Sequence, residues 1–287
     1  MKHLSLATLV CLIGFSLLTS CRERLNIDTS AAAERLVIFG RISADSACHS
    51  VQITRSIPYF STDTPPAVSG AWVEISDETE SYLLREVDSL PGIYLTDSTV
   101  CGLQGTTYTL NVRLDFDGDG VVEHYRASST MPQAPKIDSV ALSPLVYNMT
   151  PLVVIYGAMP TDQHNFFCLY TGKNNQPKSL FEYYMLIDDW YVDPSQNAFI
   201  LPCFIPGGLE IGDTINFRVD ALNAAYNAFL SQAKSEMGAS LPFFSAPPAE
   251  VVSNITCLDA DIQVSGFFAA FVRGEDFIMI SDKNLSY

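Results

Sequence analysis

The chain has 287 residues and a formal net charge of −16, with 32 acidic side chains against 16 basic ones. An acidic chain without basic clusters argues against nucleic acid and against anionic lipid surfaces as binding partners. The length suits two domains, each of them large enough to form its own hydrophobic core.

The first twenty residues have the pattern of an export signal. Lys2 supplies a positive start, an apolar run extends from Leu4 to Leu18, and Leu18-Thr-Ser-Cys21 has the spacing of a bacterial lipobox. We predict that residues 1–20 are a lipoprotein signal peptide and that Cys21 becomes an N-terminus acylated with chains such as palmitate. The alternative is an ordinary secretory signal with a chance cysteine. Each buried CH₂ stabilises membrane binding by roughly 0.8 kcal/mol, so several acyl chains would anchor the protein.

Residues 21–34 are polar and alanine-rich, which indicates a short tether. Short alternating or β-branched segments follow, separated by turn residues, and this pattern predicts strands. The predicted strands are Leu36–Ile42, Val51–Ile53, Ala71–Ser76, Tyr82–Leu84, Ile93–Leu95, Thr107–Phe116 and Val121–Ala127. We interpret residues 35–133 as an N-terminal β-sandwich domain of the immunoglobulin or transthyretin type.

A linker containing Pro132 and Pro135 leads to residues 134–287, which we interpret as a second, β-rich domain. We expect residues 136–287 to fold alone. Strands are predicted at Ile137–Leu142, Leu152–Tyr156, Phe166–Tyr170, Phe181–Ile187, Phe199–Leu201, Thr214–Val219, Gly266–Val272 and Phe277–Ile280. Apolar residues at helical spacing from Leu222 to Met237, followed by Gly238, predict one helix. The predicted fold class is all-β, with two β-sandwich domains and one helix in the second.

Several short motifs, in a fixed order, resemble one known family. After the lipobox they are Leu36-Val-Ile-Phe-Gly-Arg-Ile, Ser56-Ile-Pro-Tyr-Phe, Val68-Ser-Gly-Ala-Trp-Val-Glu-Ile, Pro91-Gly-Ile-Tyr, Gly105-Thr-Thr-Tyr-Thr-Leu, Thr130-Met-Pro, Pro135-Lys-Ile-Asp-Ser-Val, Ser253-Asn-Ile and Val264-Ser-Gly-Phe-Phe-Ala. The chain is similar to the Bacteroidetes outer-membrane lipoproteins grouped as "domain of unknown function 4249" (DUF4249). The resemblance covers nearly the whole mature chain and brings no catalytic residues with it.

Genes of that family commonly lie beside TonB-dependent outer-membrane receptors, so the resemblance implies the role of a receptor accessory. One departure bears on the membrane face. Many surface-displayed lipoproteins of this phylum carry an acidic run after the cysteine, whereas Arg22-Glu-Arg24 follows here. The resemblance therefore implies an outer-membrane protein and leaves the periplasmic and cell-surface faces open.

The sharpest chemical pattern is Asp115-Phe-Asp117-Gly-Asp119-Gly, with Glu123 three residues further on. Oxygen ligands at positions one, three and five and glycine at six match the first half of a calcium loop. Position twelve, which should be a bidentate glutamate, is Arg126. The two interpretations are a solvated acidic turn and a calcium site formed by Asp115, Asp117, Asp119 and Glu123.

The cysteines and histidines show no recognised metal or catalytic spacing. Besides Cys21, the mature chain keeps Cys48, Cys101, Cys168, Cys203 and Cys257. They are interpreted as small buried hydrophobes, or alternatively as the pairs Cys48–Cys101 and Cys203–Cys257. His124 is interpreted as a strand-face residue, and Asp188-Asp189-Trp190-Tyr191 either as a strand end or as a site for a sugar or peptide.

Two proline-rich loops carry aromatic side chains suited to a partner surface. One loop, Ser56–Ser69, contains Tyr59 and Phe60, and the other, Leu241–Pro248, contains Phe243 and Phe244. Apolar residues on exposed loops are where binding energy concentrates, although packing onto their own domain is the alternative.

The leading functional hypothesis is a non-catalytic lipoprotein, anchored in the outer membrane, that captures a ligand for a TonB-dependent receptor or acts as its partner. The alternative is a fimbrillin-like structural subunit or adhesin, which would assemble by donating a strand between subunits. A third hypothesis is a hydrolase with His124 or His164 in a pocket. Calcium at the acidic turn is the one cofactor that the sequence patterns suggest.

Overall fold

Strands dominate the protein. The structure, a computed structural model, describes residues 34–58, 61–147, 150–174, 184–189, 198–202, 210–238 and 251–280. The strands in the first half are β1 Leu36–Ser43, β2 Ser50–Arg55, β3 Trp72–Ser76, β4 Ser81–Val87, β5 Leu90–Leu95, β6 Thr107–Leu114 and β7 Glu123–Thr130. Those in the second half are β8 Lys136–Tyr147, β9 Thr150–Ala158, β10 Phe166–Lys173, β11 Tyr184–Asp188, β12 Ala198–Pro202, β13 Thr214–Leu222, β14 Thr256–Cys257, β15 Ser265–Phe271 and β16 Phe277–Ile280. The helix α1 spans Ala224–Gly238.

These elements confirm the predicted all-β class of β-sandwich type, with one helix in the second half among the described residues. The helix ends at Gly238, as the helical spacing predicted. Within the described ranges, no helix is both long and apolar enough to cross a bilayer.

The largest sheet has nine strands in the order β14-β7-β6-β3-β4-β5-β2-β1-β15. Its last member, β15, pairs in parallel with β1, and the short β14 pairs antiparallel with β7. Both strands come from the range predicted as a second domain. A hydrophobic cluster also joins residues of β1, β6, β9 and β13. The boundary predicted between residues 133 and 134 therefore runs through a single sheet and a single core.

The alternation predicted for β6 is present. Tyr108, Leu110 and Val112 are buried on the core face, because successive side chains of a strand point to opposite faces. The return strand starts at Glu123 instead of the predicted Val121. Val121 and Val122 are exposed and belong to the acidic turn.

The two ends of the nine-stranded sheet meet through side chains. Asn254 accepts a hydrogen bond from the Phe268 backbone N–H at 2.9 Å and donates one to the Phe268 carbonyl at 2.8 Å. The Ser129 hydroxyl accepts the backbone N–H of Ala270, also at 2.9 Å. These bonds satisfy polar groups at the edge of β15, which would otherwise be open to pairing with another chain.

Gly266 permits the close approach of β15 to β1. It has φ of +109°, and a Cβ at this position would lie 1.9 Å from the Ile38 carbonyl oxygen. Only glycine adopts this backbone conformation readily and leaves the space empty.

Two smaller sheets complete the described body. One has the order β11-β10-β13-β16 and the other has the order β12-β9-β8. The helix begins at Asn223, whose side-chain oxygen accepts the Tyr226 backbone N–H at 2.9 Å, a standard N-cap. The buried side chains of Tyr226 and Leu230 join a second cluster with Phe267 of β15. The helix therefore covers the face of β15 and β10 that points away from the main core.

Candidate functional site: a cationic, aromatic cavity

Five of the predicted site residues lie outside the described residues. They are the lipidation candidate Cys21 and the loop aromatics Tyr59, Phe60, Phe243 and Phe244. Trp190 and Tyr191 of the predicted acidic-aromatic segment also lie outside the described ranges. Their roles stay predictions.

The acidic turn brings three of its four predicted ligands together. Carboxylate oxygens of Asp115, Asp117 and Asp119 lie within 4.8 Å of one another, and all three residues are exposed. Asp115 accepts the backbone N–H groups of Gly118 and Gly120, at 2.7 and 2.9 Å. These bonds organise the turn because each carboxylate oxygen closes a short backbone loop.

Glu123 stands apart from this group. It is buried, and its carboxylate accepts the backbone N–H of Phe116 at 3.2 Å. Arg126, at the twelfth position of the calcium pattern, donates to Asn111 at 3.0 Å. The local geometry thus offers three exposed carboxylates, and a calcium site there stays a prediction.

His124 lies on the outer face of β7, as predicted for a strand-face residue. Its Nε2 is 3.2 Å from the Asn111 side-chain oxygen. Burial and the positive charges of Arg113 and Arg126 lower the pKa of His124. The remaining hydrolase candidate, His164, lies with Nε2 3.1 Å from an Asp189 oxygen, and the other Asp189 oxygen accepts the Asn165 amide at 2.6 Å.

The described cysteines are free thiols. Cys48, Cys101, Cys168 and Cys257 form no disulfide, so the Cys48–Cys101 pair considered from sequence does not form. Cys168 is buried among apolar side chains, as expected for a small hydrophobe, whereas Cys48 is exposed. Cys203 lies outside the described residues.

A cavity of about 230 Å³, which the sequence did not indicate, lies where β1, β10, β13, β15 and α1 meet. Its charged lining residues are Arg41 from β1, Arg218 and Asp220 from β13, and Arg273 beyond β15. Its rings are Tyr170, Tyr226, Phe271 and His49. The combination is basic and aromatic, although the chain as a whole is strongly acidic.

Arg218 and Asp220 form a paired wall of this cavity. Two residues apart on one strand, they point to the same face. Arg218 Nε and Nη2 donate to the two carboxylate oxygens at 2.8 and 3.2 Å, a bidentate geometry. The guanidinium also lies 4.4 Å from the centre of the Tyr170 ring. Asp220 is 2% exposed, and this burial raises the pKa of its carboxyl.

His49 forms another wall through backbone contacts. Its Nδ1 accepts the Ser43 backbone N–H at 3.4 Å, which leaves Nε2 as the proton donor to the Val100 carbonyl at 3.0 Å. Burial lowers the pKa of His49 below its ordinary value. The ring is therefore held as a neutral tautomer whose nitrogens are both engaged.

Among the described residues that line the cavity, Arg41 is the arginine without a carboxylate partner. Its guanidinium lies 5.6 Å from the centre of the Phe39 ring. In the part of the chain that the structure describes, no carboxylate lies within 4.0 Å of it. Burial raises the pKa of Tyr226 to about 12, although the positive charge of Arg41 acts in the opposite direction. The phenol at the cavity wall is therefore neutral.

The sequence carries a weak signal for this site. In β1, Arg41 is the single charged residue, whereas in β13 Arg218 and Asp220 occupy polar positions of a regular polar-apolar alternation. No spacing links residues 41 and 273, so pattern analysis could not bring them together.

Solved structures similar to the chain include a cytokine receptor complex, at 14% identity over 67% of this chain and 85% of that chain, with a TM-score of 0.27. The three fibronectin domains FN1–FN3 of chicken CNTN1 match at 13% identity over 86% of this chain and 66% of that chain, with a TM-score of 0.28. These similarities carry no functional argument. No curated protein matches the sequence. Residues 22–276 match the family described as "Domain of unknown function (DUF4249)".

Proposed function

The chain belongs to the DUF4249 family, and we propose that it is an outer-membrane lipoprotein that captures a small ligand as the non-catalytic accessory of a TonB-dependent receptor. The family match starts at residue 22, directly after Cys21. This start supports the division into a signal peptide and a mature chain that begins with a lipidated cysteine.

The cavity is the observation that carries the capture role. Its walls come mostly from five strands and a helix, which hold binding groups more rigidly than loops do. Ligand sites are typically concave and largely apolar, with a few polar groups that set orientation. Tyr170, Tyr226 and Phe271 supply the apolar surface here, and Arg41 supplies a charge that no carboxylate of the described residues pairs with.

Two titratable groups of the cavity, His49 and Asp220, are already held by hydrogen bonds in its walls. Both nitrogens of His49 contact backbone groups, so the ring is poorly placed to take a proton from the neighbouring Cys48. Asp220 is held by Arg218 and by the backbone N–H of Gly274 at 3.1 Å. A nucleophile needs a base within hydrogen-bond reach, and this arrangement favours binding over catalysis.

Membrane fractionation of the full-length protein, followed by affinity purification from its native envelope, tests the proposal. We expect the unaltered protein to sediment with the outer membrane and to retain a TonB-dependent receptor. Cys21→Ala should release it from the membrane, because the acyl chains are lost. Cys257→Ala is the matched control, since Cys257 is a partly exposed free thiol that does not line the cavity, and the variant keeps Cys21.

Two results would contradict the proposal. Sedimentation of Cys21→Ala with the outer membrane after a high-salt wash would show that lipidation is not the anchor. Ladder-like polymers of the unaltered protein, without any retained receptor, would instead favour a fimbrillin-like subunit.

A further inference from the structure

We propose that the cavity binds the carboxylate of a small monocarboxylic acid, with Arg41 as the group that pairs with it. The inference rests on the proposed capture function and names its ligand class. Arg41 lines the cavity, is partly buried, and has no carboxylate within 4.0 Å among the described residues.

The position of Arg41 is unusual for its strand. In β1, Leu36, Ile38 and Ile42 point into the main core, whereas Phe39 and Arg41 lie on the opposite face, towards the helix. Phe39 packs against Phe229 of α1, with ring centres 6.2 Å apart. A guanidinium next to this aromatic layer loses part of its hydration, and an anion would compensate for that loss.

The other two arginines of the cavity already have ionic partners. Arg218 is held by Asp220, and Arg273 donates to Asp276 at 2.7 Å. Among the described residues, Arg41 is therefore the lining arginine whose charge no carboxylate balances, which matches a ligand carrying one negative charge. A doubly charged phosphate fits less well, because the buried carboxylate of Asp220 would repel its second charge.

The shape and chemistry of the walls define the remainder of the ligand. A guanidinium donates two parallel hydrogen bonds that match the two oxygens of a carboxylate. The rings of Tyr170 and Phe271 are half-buried and line the same space as Tyr226, so an apolar or planar body would cover the part of them that contacts water. The volume of about 230 Å³ limits the ligand to a small organic acid.

Calorimetric titration of the full mature chain with benzoate tests this assignment, with neutral benzamide as the matched ligand. We expect benzoate to bind and to raise the melting temperature, because it binds the folded state alone. Benzamide should bind about tenfold more weakly or not at all, because it lacks the negative charge that strengthens hydrogen bonds from the guanidinium.

Arg41→Gln should weaken benzoate binding about tenfold or more and leave benzamide binding unchanged. Arg113→Gln is the control variant: Arg113 is exposed, lies 4.8 Å from the centre of the Trp72 ring, and does not line the cavity. It should bind benzoate as the unaltered chain does. Melting curves without ligand check that both variants fold.

The outcomes separate the ligand class from the proposed function. Absence of benzoate binding, equal affinity for benzamide, or an unaffected Arg41→Gln variant would overturn the carboxylate assignment, even if a receptor is retained in affinity purification. Benzoate binding that depends on Arg41 supports the assignment, and failure to retain any receptor would then count against the accessory role alone.

Discussion

Two clusters of charge among the described residues are built in opposite ways. The acidic turn consists of Asp115, Asp117 and Asp119, like charges that are close in sequence and remain exposed. The cavity joins Arg41, Arg218 and Asp220, which come from strands far apart in the chain, and Asp220 is 2% exposed. Water screens the repulsion between exposed like charges at a turn. A buried carboxylate, by contrast, requires a partner in fixed geometry.

Among the changes tested, separating the two halves of the chain should give the largest difference in effect between the acidic turn and the cavity. The turn needs only β6 and β7, but the cavity needs β1 from one half and β10, β13 and α1 from the other. We now expect residues 136–287 expressed alone to be unfolded or insoluble, contrary to the expectation from sequence, because β14 and β15 lose their partners β7 and β1.

Circular dichroism and thermal melting measure this effect, with the chain from residue 22 to 287 as the control. A soluble fragment with cooperative β-type unfolding would show that the second half forms a core of its own.

Neutralising one carboxylate in each cluster gives the next largest difference. Asp220→Asn leaves Arg218 without its bidentate partner, and Asp276 lies 3.8 Å away as a weak substitute. We expect the free energy of unfolding to fall by about 3 kcal/mol, because removing one partner of a buried ion pair leaves the other charge unpaired.

The control Asp117→Asn should change the free energy of unfolding by less than about 0.5 kcal/mol, as exposed substitutions usually do. Urea denaturation curves of the two variants provide the comparison. Equal losses in both variants would mean that the Asp220–Arg218 pair is not a structural element of the cavity.

A smaller effect is expected from His49, which titrates at the cavity wall. Burial lowers the pKa of His49 below 6.5 in the folded state. The unfolded chain therefore binds a proton first as the pH falls through 6.5, and stability should decrease as the pH falls below about 6.5.

His49→Asn should flatten this part of the pH profile, measured as the free energy of unfolding at each pH. The variant will also be less stable overall, because hydrogen bonds to Ser43 and Val100 change. A variant with the same slope as the unaltered protein would show that other groups cause the pH dependence.

The smallest expected effect concerns calcium at the acidic turn. If Asp115, Asp117 and Asp119 hold the ion, millimolar calcium should raise the melting temperature slightly through binding to the folded state. The double substitution Asp117→Asn with Asp119→Asn should abolish that rise, whereas Asp259→Asn, outside the three-aspartate group, should keep it. A chain that does not respond to calcium has a solvated acidic turn.

Local patterns predicted the parts of the fold that depend on neighbouring residues. The alternation of Tyr108, Leu110 and Val112 identified the core face of β6, and helical spacing before Gly238 identified α1 and its end. The limits of the turn were less accurate. β6 ends at Leu114 and β7 starts at Glu123, because the aspartate carboxylates capture backbone N–H groups that a longer hairpin would have used.

Long-range pairing decided what the patterns could not. The sequence by itself determined the strand content, the single helix among the described residues and the acidic turn, since each depends on propensities and periodicities within a few residues. The tertiary structure alone placed β15 beside β1, joined Asn254 to Phe268 across the sheet ends, and brought Arg41 next to Arg218 and Asp220. The physical reason is that the tendency of a segment to form a strand is local, whereas side-chain packing across the whole core selects the strand that it pairs with. Periodicity within one segment therefore does not identify its partner.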